Sequence, residues 1–372
     1  MANFNGARFL EPAIRSALSQ DLGPIEIVLV DDASTDDSIA RAEAIAQGDP
    51  RLRIERLGTN QGPGAARNRA LELARGEWLA VLDSDDLMHP GRLSRLLERA
   101  RQDAADIVAD DLLVFSDEGG GTRERFLRGR RAKGPTWLTA EAFLRETRLY
   151  ASGPDLGFLK PMVRRDAWRS SGLRYDETLP IGEDHDFLLR LLACGLRCRI
   201  DPFLGYFYRK HPGSTSHRLN RSALSKIAEA EARYREDLSD LSPALRRAIE
   251  GRRNSIRTAA AFTEAVEALK ARRPTTAAAR LLARPQAVVL FRMPLSALLH
   301  RLWRQLPFAS QRQIPSFLPR ATFISRQRLV GPTNGSSAYL LDLALAARRL
   351  RPPADPALSG GPRPLAGAEA ET

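Results

Sequence analysis

Short apolar runs alternate along the chain with stretches in which apolar residues recur at helical spacing, and several of the runs stop at acids or glycines. Ile25 to Val30 is nearly all apolar and ends at Asp31-Asp32. Leu52 to Leu57 leads into Gly58-Thr59-Asn60-Gln61-Gly62-Pro63-Gly64, and Trp78 to Leu82 breaks off at Asp83-Ser84-Asp85-Asp86. Runs of this length bounded by turn residues predict strands. Between them the spacing predicts helices. One runs from Ala7 to Gln20 with Phe9, Leu10, Ile14, Ala17 and Leu18 on one face. Another opens at Ser34 as N-cap, with Asp37 three residues on in a capping-box pattern, and reaches about Gln47. A third covers about Ala65 to Ala74 and is closed by Gly76. Pro90 stands where a further helix begins. Met1 to Asn5 reads as loop, so no strand is expected ahead of the first helix.

Strand, acidic end, helix, strand, glycine loop, helix, strand, acidic end is the order of a parallel doubly wound α/β sheet. Right-handed crossovers then gather Asp31, Asp32, Asn60, Asp83 and Asp85 along one sheet edge. Further on, Asp106 to Asp117 predicts a strand and Gly119-Gly120-Gly121 a break. Helical patches follow at Thr139 to Thr147 and at Arg165 to Ser171, the second ended by Gly172. Gly182-Glu183-Asp184-His185-Asp186 opens a helix whose apolar face is Phe187, Leu188, Leu191 and Leu192. Phe203 to Arg209 predicts a strand that runs into His211-Pro212-Gly213-Ser214-Thr215-Ser216-His217.

Acids at the carboxyl end of a strand in an open α/β sheet are placed to hold a divalent metal on a phosphate. Asp and Ser also suit a turn and a helix cap, which is the plainer account of residues 83–86. Carboxylates at a helix N-terminus gain some tenths of a kcal/mol from its dipole, the plainer account of Glu183, Asp184 and Asp186. That each of Asp31, Asp32, Asn60, Asp83 and Asp85 merely ends its own strand explains one or two of these five and strains to explain all.

The net charge of +12 over 372 residues changes the picture at one end only. From Leu245 onward there are 21 Lys and Arg against 7 Asp and Glu, which leaves the first 244 residues at −2. Such a tail suits an anionic surface. Aromatics are sparse there and no nucleic-acid motif occurs, so a membrane surface is expected and nucleic acid is not. Ala287 to Leu306 interleaves apolar residues with Arg292, Arg301 and Arg304, fit to lie on a membrane or to pack on the rest of the protein; Pro294 would split it. No run reaches the roughly 18 apolar residues of a membrane span, and the N-terminus lacks a signal-peptide layout. Cys194 and Cys198 read as core thiols of a reducing compartment. A cytoplasmic protein, peripheral on the inner face of the membrane, is the expectation.

Taken together, four stretches resemble the family 2 glycosyltransferases: Val30 to Asp36, Asn60 to Asn68, Leu82 to Asp86 and Gly182-Glu183-Asp184. The resemblance covers about residues 3–219 and is closest to exopolysaccharide glucosyltransferases of the succinoglycan type. It implies the GT-A fold, a nucleotide-sugar-binding, Rossmann-like, mostly parallel sheet flanked by helices, here with a C-terminal helical basic extension. It implies an inverting, metal-dependent transfer of a hexose, glucose above all, from a nucleoside diphosphate sugar, UDP-linked, to a saccharide or lipid-linked glycan. Asp31 and Asp32 would meet the base and ribose, with Asn5 and Asn60 on the same donor side. Arg67 would reach the base or diphosphate. Asp83 would lean toward the ribose and Asp85 would bind Mg²⁺ or Mn²⁺. Asp184 would be the base that takes the acceptor proton and Glu183 its acceptor-binding neighbour. Arg209 and His211 would clamp the diphosphate, while His185 and His217 are left as surface or structural residues.

Two departures from the family pattern stand out. The apolar strand that precedes the Asn-containing loop in the family is missing, and the start of translation is expected several codons upstream of Met1. At the other end, Ala321 to Leu350 again reads strand, glycine-bearing loop, helix, and resembles the start of a GT-B glycosyltransferase cut short. The alternative is an ordinary helix and tail. The domains expected are thus 1–220, a helical basic extension at 221–312, an isolated βα unit at 313–350, and a disordered tail at 351–372 rich in Pro, Gly, Ala and Arg. Two other functions stay open: a sugar nucleotidyltransferase, which lacks its Gly-rich basic loop and leaves Glu183-Asp184 idle, and a broken reading frame that folds poorly.

Overall fold

The computed structural model describes residues 1–116, 123–151, 153–211, 221–233 and 242–292. The break at Gly119 to Gly121, the segment 212–217 with His217, residues 293–306 of the amphipathic stretch, the βα unit at 321–350 and the tail at 351–372 lie outside the described residues. The chain divides into two compact units, Met1–Gly331 and Pro332–Thr372, and all described residues belong to the first.

In chain order the elements are β1 (Ala2–Asn3), α1 (Ala7–Leu18), β2 (Ile27–Asp31), α2 (Ser38–Ala46), β3 (Leu52–Arg56), α3 (Pro63–Leu73) and β4 (Trp78–Ala80). Then come β5 (Leu87–Met88), α4 (Arg92–Asp103), β6 (Ile107–Ser116), β7 (Glu124–Arg125), β8 (Thr136–Leu138), α5 (Ala140–Glu146) and β9 (Met162–Arg164). The series ends with α6 (Arg165–Ser171), α7 (Glu183–Ala193), β10 (Cys198–Lys210), α8 (Arg221–Arg233), α9 (Pro243–Lys270) and α10 (Pro274–Ala283). One sheet has the order β1-β2-β3 and is parallel throughout. The other runs β4-β9-β6-β10-β5, with β7 on β6 and β8 on β10. Its longest ladder, β6 with β10, is parallel from Cys198↔Ile107 to Lys210↔Ser116, and shorter antiparallel strands flank it. Every residue of β2 is buried, as expected of a strand covered on both faces. Leu10 and Ile14 of α1, Leu29 of β2, Leu112 of β6, Phe143 of α5, Leu191 of α7 and Tyr206 of β10 lie in one core.

Several expectations are corrected. A strand does precede α1: Ala2 and Asn3 pair in parallel with Val30 and Asp31, and the Met1 amino group donates to Val28 O at 2.8 Å. Two residues make a bridge, yet they are too few to leave a periodic signal. Ser34 is not the N-cap of α2, which starts four residues later after Asp37. Its hydroxyl is used elsewhere, donating to Asp31 Oδ1 at 2.6 Å and accepting from Asn5 N at 2.8 Å. Helix α3 ends at Ala74, which turns extended, before Gly76 is reached. Helix α4 begins at Arg92 rather than Pro90, because β5 intervenes and pairs with β10. Cys198 is buried, but Cys194 caps α7 at the surface and is exposed.

The β1-β2-β3 sheet and β4 are not hydrogen-bonded to each other. Between them lies a cavity of about 760 Å³, lined among others by Met1, Ala2, Val28, Leu79 and Val81.

Candidate active site

The acidic end of β4 is held by the end of β10. Tyr206 pairs with Met88 of β5, and this register carries Tyr206, Arg209 and His211 past residues 83–86. The Tyr206 hydroxyl donates to Asp86 Oδ2 at 2.8 Å and accepts from Asp83 N at 3.1 Å. Arg209 donates its backbone N–H to Asp86 Oδ1 at 2.7 Å and its Nε to the Asp85 carbonyl at 2.7 Å. His211 Nε2 lies 3.0 Å from Asp85 Oδ2. Asp83, Asp85 and Asp86 each bring a carboxylate oxygen within 4.8 Å of the others. Asp86 is buried with both oxygens already hydrogen-bonded, but Asp85 and Asp83 offer hard oxygen donors that fit Mg²⁺ or Mn²⁺, the ion that the resemblance implies.

The opposite wall is the N-terminus of α7. Gly182, at φ 88°, takes a left-handed turn that a side chain would strain, and so delivers Glu183 and Asp184 into the crevice. Arg67 reaches across from α3. Its Nη2 donates to Asp83 Oδ1 at 2.9 Å and lies 3.5 Å from Asp184 Oδ2, and its Nη1 pairs with Glu183. Tyr175, stacked on Phe187 at 4.1 Å between ring centroids, backs the Arg67 guanidinium. Lys160, from the segment before β9, contacts both sides: its Nζ is 2.7 Å from Asp83 Oδ2 and is also paired with Asp184 Oδ2. Arg67 Nε is buried without a hydrogen-bond partner among the described residues. Such an atom is one that a ligand could complete.

Electrostatics follow from this packing. Burial alone would raise the Asp83 carboxyl, but Lys160 and Arg67 outweigh it and hold the group well below the usual carboxylate range. Burial pushes Asp86 well up, with Asp85 and Asp83 adding to it, and burial also raises Glu183 against the pull of Arg67. Lys160 stays charged: burial opposes its charge, and Asp184 and Asp83 more than restore it. Two buried cations thus sit among these carboxylates.

The remaining predicted residues form a neighbouring group. Asp31 is fully buried; Asn3 Nδ2 donates to its Oδ1 at 2.7 Å and Ser34 N to its Oδ2 at 2.8 Å. Asp32 accepts from Gln61 N at 2.7 Å and Gly62 N at 2.8 Å, tying the end of β2 to the glycine loop. Asn5 accepts from Thr35 N at 2.8 Å, and Asn60 is exposed. Gly6 joins this group to the acidic turn, since a Cβ there would lie 3.1 Å from Ser84 Oγ. His185 is buried against Phe143 and bonded to Thr147 Oγ1 at 2.8 Å, a structural residue.

Asp31, Asp32, Asn60, Asp83 and Asp85 were expected along one sheet edge, with Arg67, Glu183, Asp184, Arg209 and His211 added by the resemblance. The fold brings Arg67, Asp83, Asp85, Glu183, Asp184, Arg209 and His211 to one crevice, but buries Asp31 and leaves Asn60 exposed apart from it. The sequence reading missed Lys160 and Tyr206. A lone cation inside Phe158-Leu159-Lys160-Pro161-Met162-Val163 was the signal for the first. A tyrosine in a strand carries no such signal.

Residues 1–168 match the model of Glycosyl transferase family 2. The chain is 38% identical over 331 residues to succinoglycan biosynthesis protein ExoO of Rhizobium meliloti (strain 1021), covering 88% of this chain and 93% of that protein. It is 37% identical over 250 residues to ExoU of the same organism, covering 62% and 72%. Among solved structures, S. aureus TarS 1-349 in complex with UDP-GlcNAc superposes with a TM-score of 0.52 at 17% identity, covering 77% of this chain and 90% of that one. The mannosyltransferase PcManGT from Pyrobaculum calidifontis in complex with GDP-Man and Mn²⁺ gives 0.51 at 17% identity, covering 82% and 80%. These structural likenesses carry the GT-A fold, and the identity across nearly the whole of a succinoglycan-biosynthesis relative carries the family. The chain belongs to glycosyltransferase family 2.

Proposed function

We propose that the protein transfers a hexose, glucose in the first instance, from a UDP-linked donor to a hydroxyl of a saccharide or lipid-linked glycan, with inversion, in exopolysaccharide or cell-surface polysaccharide assembly. The observation that carries this reading is the placement of Asp184 across a narrow crevice from Asp83 and Asp85, with Lys160 and Arg67 between them. Asp85 is the residue that would hold Mg²⁺ or Mn²⁺, with Asp83 beside it on the same turn. Such an ion supplies Lewis-acid neutralisation of the departing diphosphate. Support for a nucleotide-sugar donor comes from the complexes in which TarS holds UDP-GlcNAc and PcManGT holds GDP-Man.

The chain's own groups account for the rest. Asp184 takes the proton of the acceptor hydroxyl as its oxygen bonds to the anomeric carbon, on the face opposite the leaving group. The bond from that carbon to the diphosphate oxygen breaks, and the electron pair leaves with the nucleoside diphosphate. Glu183 binds the acceptor beside the base. Asp83 leans toward the ribose, and Arg67, Arg209 and His211 meet the diphosphate. Asp31, fully buried, and Asp32 hold the loops that carry Asn5 and Asn60, so their part in donor binding is to position those loops rather than to touch the base or ribose. The basic helical extension sits at the inner face of the membrane, where a lipid-linked acceptor would be presented.

Calorimetric titration of UDP with and without Mn²⁺ tests the donor site. Binding that needs Mn²⁺ and is lost in Asp85→Ala is expected. Binding indifferent to both the ion and the substitution would overturn the assignment of Asp85.

A further inference from the structure

We propose that Lys160 is a positioning residue for the base: its ammonium grips one oxygen of Asp184 and one of Asp83, fixing the acceptor-side carboxylate relative to the donor-side turn. The inference rests on Asp184 being the base. Lys160 is 5% exposed, and its backbone has little freedom to retreat. Its carbonyl accepts from Arg92 Nη2, and Arg92 is itself fully buried against Asp110 at 2.9 Å. The next carbonyl, that of Pro161, accepts from Val81 N at 3.3 Å, and the proline ring fixes the backbone angle. The lysine stem therefore leaves a braced backbone and ends between the two acids.

Arg67 cannot take over this task. Its contacts with Glu183 and Asp83 are close, whereas its nearest approach to Asp184 is 3.5 Å. Lys160 is thus the principal cation on the base. The groups that face Asp184 are Lys160, Arg67 from α3, Asp83 from the turn after β4, Glu183 on its own helix, and Tyr175 from the segment before α7. Without Lys160, one guanidinium would remain against two acids and a phenol. A base in that setting is free to turn away from the acceptor.

The alternative is that Lys160 only neutralises buried charge, and kinetics separate the two. The full chain is assayed as wild type, Lys160→Met and Asp184→Asn for release of UDP from UDP-glucose with Mn²⁺, water standing in for the acceptor. UDP affinity is measured by calorimetry on the same samples. For Lys160→Met, kcat is expected to fall by about 100-fold, the scale of a lost general-base contribution. UDP affinity stays within about fivefold. Lys160→Arg, which keeps the charge, should return kcat toward wild type. An unchanged kcat in Lys160→Met would overturn the proposal, as would a loss of UDP affinity matching the loss of kcat. Lys160→Gln is read in the same way should Lys160→Met fold poorly. Asp184→Asn with wild-type release would instead defeat the reading of the base itself, an outcome distinct from an inactive Asp184→Asn beside a normal Lys160→Met.

Discussion

Gly205 has no room for a side chain. A Cβ there would lie 2.1 Å from Asp110 Oδ2 and 2.9 Å from Arg92 Cγ, inside the buried pair that braces Lys160. Overpacking costs about 1–3 kcal/mol, and disturbing a buried pair about 3–5 kcal/mol. Gly205→Ala is therefore expected to lower the unfolding free energy by about 3 kcal/mol or more, read from urea midpoints at constant m. Asp83, Asp85 and Asp184, acids at element ends, were legible as candidates one by one. Lys160 was not, because only the company it keeps marks it out.

Strands and helices were legible where a run of apolar residues is longer than the bridge it forms. α1, α6, α7 and β6 stand within a few residues of the expected limits, because an apolar stripe of several turns or a run of ten residues outweighs its edges. The miss at Ser34 has a local cause: Ser, Asp and Asn serve caps and turns alike, and only the proximity of Asn3, Asn5 and Asp31 decides which. The slot beside β1 is the element-scale consequence of a two-residue strand. Among the described residues β4 pairs with β9 alone, and the cavity of about 760 Å³ takes the place of a neighbour on its other side. Adding five or six β-branched residues ahead of Met1 is expected to extend β1 into that slot. Side chains buried at about 1.5–3 kcal/mol each, against about 1–2 kcal/mol of ordering per residue, leave a net gain of a few kcal/mol. A rise in Tm of about 5 °C or more would be the sign of it. An unchanged Tm would show that the slot is not shaped for a strand.

At the scale of the molecule, charge and exposed apolar surface coincide. Residues 268–292 contain Lys270, Arg272, Arg273, Arg280, Arg284 and Arg292 and no acid. Leu269, Leu282, Val288 and Val289 in the same stretch are exposed, Leu282 by 79%. Basic residues near an anionic surface contribute about 1 kcal/mol each, falling off within the Debye length. The chain is expected to co-float with vesicles containing phosphatidylserine at low salt. Leu282→Ser with Val289→Ser, or salt raised to about 0.5 M, should release it. Flotation that ignores lipid charge would argue against this surface.

The sequence by itself determined the alternating α/β order, the acids at the ends of β2 and β4, and the acid-opened helix α7. Each is a property of one short segment, and local propensity and burial suffice to specify it. The tertiary structure alone decided that Asp83 and Asp184, about 100 residues apart in the chain, share one lysine. It also decided that Tyr206 links Asp86 to Asp83, that Asp31 turns inward, and that β1 stops short of β4. Those outcomes depend on distances between segments, which follow from how β4, β9, β10 and α7 pack and from no single stretch of sequence.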